Sequence, residues 1–144
     1  GEIGNGATAL HAAVENGHLL TTRVLLKLGA KQLTSMKGAS PVLIALQYKH
    51  PRIALSLLKQ EYHAHLNAAT PHDGMYPLFV ATQYGYFRVV ERLLARGANF
   101  DKPVRGYTPY ALARYFANRS SDSARVLNAF EAFFKKIGWH AEDL

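Results

Sequence analysis

The chain has 144 residues, a mass of 16.0 kDa, 49% hydrophobic and 19% charged residues and a mean hydropathy of -0.10, which is one globular domain's worth and excludes both a second folded domain and general disorder. Cysteine is absent, which removes disulfides, thiolate zinc sites and cysteine nucleophiles, and no apolar run approaches the roughly 18 residues of a membrane span. The net charge of +7 is spread as +1, +3, +1 and +2 over residues 1–33, 34–67, 68–100 and 101–144, with Lys135-Lys136 the only adjacent basic pair, so it reads as a solvated basic surface and not as the clustered footprint of a nucleic-acid binder. The N-terminus GEIGNG lacks the basic and apolar regions of a signal peptide, and a soluble, intracellular domain, cytoplasmic or nuclear, is expected. Because it starts at Gly1 and not Met, the chain is expected to be either a processed product or a segment of a longer protein.

Internal repetition organises everything else. Gly6, Gly38, Gly74 and Gly106 are spaced 32, 36 and 32 apart, and Ala13, Ala45, Ala81 and Ala113 repeat the same steps. The apolar pairs Leu25-Leu26, Leu57-Leu58 and Leu93-Leu94 keep that register, and the pair Val126-Leu127 answers them in a fourth copy one residue later than the 32-residue step. The units run over about residues 3–34, 35–70, 71–102 and 103–137, leaving a tail at 138–144.

In chain order, each unit reads turn, helix, turn, helix. The first carries Thr8-Ala9-Leu10-His11-Ala12-Ala13, then Asn16-Gly17-His18, Leu25-Leu26 and Gly29-Ala30. The second begins Ser40-Pro41-Val42-Leu43, places Lys49 where a glycine follows the first helix elsewhere, replaces Gly-Ala by Glu61-Tyr62, and holds extra residues within Gln60 to His72. In the third, Asp73-Gly74 forms a turn and Pro77 opens a helix at the position that tolerates a missing N–H. Leu78, Ala81 and Thr82 make a stripe ended by Gly85, and Phe87, Val90, Leu93 and Leu94 make a second one ended by Gly97. The fourth has Thr108-Pro109-Tyr110-Ala111, then Ser120-Ser121-Asp122 before a longer helix with Val126, Leu127, Phe130, Phe134 and Ile137 at helical spacing and Lys135-Lys136 and Gly138 at its end, a capping unit. Helices of two to three turns are unstable alone in water, so stability must come from stacking between units, and the shared alanine permits close approach.

The run Thr8 to Ala13 with its partners at Ser40-Pro41, Tyr76-Pro77-Leu78-Phe79 and Thr108-Pro109 resembles the ankyrin repeat, whose signature is T-P-L-H-x-A in a unit of about 33 residues. The resemblance covers about Ile3 to Ile137 and implies an all-α solenoid of stacked helix pairs with projecting hairpin loops, acting as a protein-binding surface without chemistry of its own. It also implies that Leu20 and Leu28 fall where solvated polar residues are usual, so that something upstream covers them, and that His11 is a hydrogen-bonding residue of the turn.

Motifs for chemistry are weak. Gly4-Asn5-Gly6-Ala7-Thr8-Ala9 fits the loose dinucleotide fingerprint G-x-G-x-x-A but has only three residues before it and no strand. His63, His65, His72 and Asp73 could meet in the irregular loop, yet ligands on such a loop are cheap coincidences, and neither metal nor cofactor is expected. Asn118-Arg119-Ser120 is a sequon with nothing to direct secretion. No nucleophile elbow, phosphate loop or kinase signature occurs, so the chain reads as a non-enzyme.

The family's variable positions imply a concave partner-binding face. Hairpin tips fall at Asn5 and Ala7, Lys37 and Ala39, Asp73 and Met75, Arg105 and Tyr107, with Met36, His72 and Val104 beside them. The first-helix ends present Glu15-Asn16, Gln47-Tyr48, Gln83-Tyr84 and Tyr115-Phe116. Of these, Met36, Lys37, Gln47, Tyr48, Met75, Gln83, Tyr84, Arg105, Tyr107, Tyr115 and Phe116 are the expected contacts to another protein or peptide segment, with the domain monomeric in isolation. Two rival readings are a targeting module of a larger enzyme or secreted effector and a binder of anionic ligands such as nucleic acid or phosphoinositide.

Overall fold

The computed structural model describes residues 6–140. Its helices are α1 (Ala7–Glu15), α2 (Leu19–Lys27), α3 (Pro41–Gln47), α4 (Pro51–Leu57), α5 (Pro77–Tyr84), α6 (Phe87–Ala95), α7 (Pro109–Phe116) and α8 (Ser121–Ile137). Local chemistry sets where they begin. Pro41, Pro51, Pro77 and Pro109 open four of them, where a missing N–H costs nothing. The hydroxyls of Ser40, Thr108 and Ser120 accept from the N–H groups of Leu43, Ala111 and Ser123 at 3.2, 3.1 and 3.0 Å.

The helices form two rows. An inner row, α1, α3, α5 and α7, and an outer row, α2, α4, α6 and α8, each pack neighbour on neighbour, and each inner helix also packs on the outer helix that follows it. The core lies between the rows: Leu10, Leu43, Leu46, Leu57, Leu78, Leu93 and Phe130 are fully buried. Burying each large aliphatic side chain contributes roughly 1.5–3 kcal/mol. The repeated alanines Ala13, Ala45, Ala81 and Ala113 are buried in all four pairs, as close packing of the inner row requires.

The irregular second unit is held by its neighbour. Outer helix α4 ends without a glycine, and Lys59, Gln60 and Glu61 follow it. Its end carbonyls are met by the Arg96 guanidinium of the next unit, which donates to Leu58 O at 3.1 Å, Lys59 O at 3.5 Å and Tyr62 O at 3.4 Å. Gln32, also buried, reaches Leu57 O at 2.9 Å from the other side. Orphan carbonyls at a helix end need such donors, and charged ones give the stronger bonds.

The two ends of the stack differ. At the first unit, Ala9, Ala12 and Thr21 are exposed, whereas their register equivalents Pro41, Ile44 and Ile53, and again Pro77, Val80 and Val89, are buried against a preceding unit. Leu20, Val24 and Leu28 line the same helix at 73%, 54% and 79% exposure. At the other end, α8 is sealed by aromatics. Phe100 meets Phe133, Phe134 and Trp139 at ring distances of 5.7, 5.4 and 5.2 Å, and Trp139 lies 4.3 Å from Phe134. The tail expected from residue 138 therefore starts as part of the cap, because Gly138 in the left-handed region turns the chain back and Trp139 N–H bonds Phe134 O at 2.9 Å.

Two stability outcomes are expected from denaturant unfolding. Arg96→Ala should cost about 1.5–3 kcal/mol, the range for hydrogen bonds involving a charged group. Leu20→Lys and Leu28→Lys should each change stability by less than about 0.5 kcal/mol, as exposed substitutions do; a large loss at either leucine would make it core.

Candidate binding groove

The turns between units fold into three tight fingers. In the first, Ser35 N–H bonds Ala39 O at 2.8 Å, Gly38 N–H bonds Ser35 O at 2.9 Å, and Ser35 Oγ accepts from Ala39 N–H at 3.2 Å. Gly38 has φ 83°, and a Cβ there would lie 2.6 Å from Cδ of Pro71, so the first finger leans directly on the second. In the second, Thr70 N–H bonds Met75 O at 2.9 Å while the Asp73 carboxylate accepts from the Thr70 hydroxyl and, at 3.2 Å, from Met75 N–H. These bonds, the Thr70 one foremost, hold the Asp73 carboxyl below its ordinary range. The third is a bridge in which Val104 and Tyr107 exchange N–H···O bonds of 2.8 and 3.1 Å. It is anchored by Tyr76, fully buried, whose hydroxyl donates to Lys102 O at 2.6 Å. Burial pushes that phenol well above its usual range, so it stays a donor.

Between the first two fingers and the inner helices runs a groove of about 490 Å3, lined among others by His11, Glu15, Met36, Lys37, Tyr48 and His72. His11 donates through Nε2 to Leu33 O at 2.6 Å, tying the first inner helix to the strand of chain entering the finger. His50 does the equivalent one unit on, reaching Glu15 O at 3.3 Å with its ring against Gly17.

The expected contact residues divide by exposure. Met36 projects fully at the first finger, with Lys37 exposed beside it; Tyr107 and Arg105 are exposed at the third. Gln47, Gln83 and Tyr115 are exposed at the inner helix ends, where Tyr48 and Tyr84 stand 52% and 39% accessible. Several positions differ from expectation. Met75 is half-buried and packs on the core, because the Asp73 turn draws its backbone inward. Phe116 is half-buried, with Tyr115 at 5.1 Å and the Arg119 guanidinium over its ring at 5.6 Å. Tyr48 and Tyr84 occupy equivalent positions but do not stand ring to ring: Tyr84 packs tilted at 53° against Tyr86, 5.7 Å between ring centres, and the Lys49 ammonium lies 5.5 Å from its ring centre. Ala7, Ala39 and Val104 are buried and offer nothing at the tips, and Asn5, like Gly4 of the glycine motif, lies outside the described residues.

Sequence reasoning did not find Lys49 or Arg119 as surface groups of this face. The signal was present in Lys49, a lysine replacing glycine. Its φ is 65°, matching the 75° of Gly17 and Gly85, so the turn keeps its geometry and gains a cation. The histidines of the irregular loop separate: His63 and His65 line a depression with Leu26 and Gln32, while His72 and Asp73 face the groove. Among the described residues no group of three His, Asp or Glu side chains is placed to hold a metal, and no helix is long and apolar enough to cross a membrane.

Stacked helix pairs with fingers on one edge define a helical-repeat solenoid, a class whose surface is extended along the stack. A family model described as ankyrin repeats in three copies matches residues 1–70, and a second, described as ankyrin repeat, matches residues 73–103. The chain belongs to the ankyrin-repeat family. A comparison with curated proteins finds no match. Residues 104–144 lie outside both family matches, yet α7 and α8 repeat the pairing of the earlier helices. Domains of this family are in general protein-interaction modules without catalytic chemistry.

Acid should loosen the second finger. The folded Asp73 pKa lies below the unfolded value of about 3.9, so its contribution is complete above that value and is lost as pH falls through the lower folded one. Asp73→Asn should thus be less stable than wild type near neutrality, with the gap closing toward pH 2; a gap independent of pH would assign the finger to other bonds. Thermal unfolding should be unchanged by chelator, since a bound metal would add stability by mass action.

Proposed function

We propose that this chain binds another protein through the concave inner face, with Tyr48 and Tyr84 at the centre and Met36, Lys37, Gln47, Gln83, Arg105, Tyr107 and Tyr115 around them, as a monomer within a cell. The observation that carries the reading is the exposure of two tyrosines at equivalent helix ends, the first of which, Tyr48, lines the groove together with Met36 and Lys37. Tyrosine combines large contact area with few rotors to immobilise and one polar handle, which suits it to the centre of an interface. Phe116 and Met75, being half-buried, support the face from beneath.

A second reading, a targeting module within a larger enzyme or effector, is favoured by the apolar stripe Leu20, Val24 and Leu28 at the first unit. It keeps the same inner face and adds a neighbour at the stack's end. An anionic ligand as the sole partner is the weaker case, because the net positive charge is spread over all four segments of the chain and Lys135-Lys136 is the only adjacent basic pair.

Tyr48→Ala and Tyr84→Ala should each weaken partner binding by about 2 kcal/mol or more while changing unfolding free energy by less than about 1 kcal/mol. Lys37 and Arg105 substitutions should act mainly on association rate and its salt dependence. Calorimetric or interferometric binding paired with denaturant unfolding on the same variants checks this. Stability losses near 3 kcal/mol at the tyrosines, as for packed aromatics, would remove the face from the account.

A further inference from the structure

The inner face carries cations that the fold does not use. All 17 Lys and Arg lie within the described residues, against seven of the ten Asp and Glu. Lys37, Lys49, Arg105 and Arg119, distributed over the second and fourth units on the finger and helix-end side, form no ion pair among the described residues. The groove also holds the Glu15 and Asp73 carboxylates, and neither is in an ion pair with these cations among the described residues.

Two of these cations are held at a conformational cost. Lys49 at φ 65° and Arg105 at φ 53° are the non-glycine residues of the described span with left-handed backbones. Register equivalents of Lys49 in the first and third units are glycines, which take that conformation freely. Residues kept in sparsely populated regions are a pointer to function when something else would fold more easily. What position 49 gains is placement: its ammonium lies over Tyr84 of the next unit, 5.5 Å from the ring centre. Arg119 is placed in the same way, its guanidinium 5.4 Å from Tyr115 and 5.6 Å from Phe116. An aromatic face restrains a cation without consuming its N–H donors, so those donors stay available to an incoming anion.

Resting on the inner-face reading above, we propose that the partner is an acidic protein segment, lying along the inner face with carboxylates paired to Lys37, Lys49, Arg105 and Arg119. Single cations spread along the stack match carboxylates spaced along an extended peptide. They do not match a nucleic-acid backbone, which is bound by clustered cations.

The test uses the full chain against a displayed library of random dodecapeptides. Selected peptides should be enriched in Asp and Glu, and in synthetic form should lose about tenfold in affinity for Lys49→Gly. That variant should melt at the same or a higher temperature, because glycine relieves the left-handed backbone. Selection of neutral or basic peptides, acidic peptides indifferent to Lys49→Gly, a clear drop in melting temperature for that variant, or a single-stranded oligonucleotide that binds more tightly than any peptide would each overturn the proposal. Tyr84→Ala separates the two levels. Neutral peptides that lose binding in Tyr84→Ala leave the inner face standing and remove only the acidic partner; no enrichment, or binding unaffected by Tyr84→Ala, removes both.

Discussion

No helix before the last could persist on its own. With seven to nine residues each, α1 to α7 form too few internal hydrogen bonds to offset the ordering of their backbones, and most of their stability comes from what they bury. The buried alanines of the inner row are the point at which this constraint is tightest. A larger side chain at Ala45 or Ala81, both without exposure, would separate adjacent inner helices and withdraw the contacts of Leu43, Leu46 and Leu78 together. The spacing of 32 or 36 residues between these alanines is thus a packing distance written into the chain, and the fingers take their positions from it.

Stacking leaves polar groups at every seam, and the chain satisfies them with long-range side-chain bonds to backbone. His11, Gln32, Tyr76 and Arg96 each reach a carbonyl of a neighbouring segment, at separations of 22 to 38 residues. Arg96 does for the second unit what a Gly-Ala turn does for the first and third without side chains, because that unit's turn is the most irregular. The cost of leaving such a carbonyl without a donor exceeds the net worth of an ordinary hydrogen bond, which explains why the irregular loop is compatible with a continuous stack.

Periodicity made the architecture legible, since glycine, alanine and leucine markers repeated in one register and each had a single physical meaning. The helix starts followed from Pro41, Pro77 and Pro109, with hydroxyl caps from Ser40 and Thr108 before two of them. Less of the site was readable. Equivalence in register fixes where a Cα lies and leaves open whether its side chain faces water: Met36 and Val104 are equivalent, yet one is fully exposed and the other buried. Met75 was drawn inward by hydrogen bonds of Asp73, a local competition that spacing does not encode. Arg96 was invisible as a structural residue because its equivalent in the first unit is Leu28, and only the missing turn glycine sixty-odd residues along gives it carbonyls to bind.

A chain with this excess of positive charge and so few compensating contacts would be expected to repel itself, and the solenoid limits that cost by geometry. The unpaired cations of the inner face come two each from the second and fourth units and sit at fingers and helix ends in contact with water, where mutual repulsion is screened over about 8 Å at physiological ionic strength. Stability is drawn from the apolar seams, which those charges do not touch. The residues proposed for binding and those that hold the fold are therefore separate, with Tyr84 and Lys49 exposed on one side of the division and Ala81 and Leu93 buried on the other. The inner face can consequently carry strain and unpaired charge that a compact core would not tolerate.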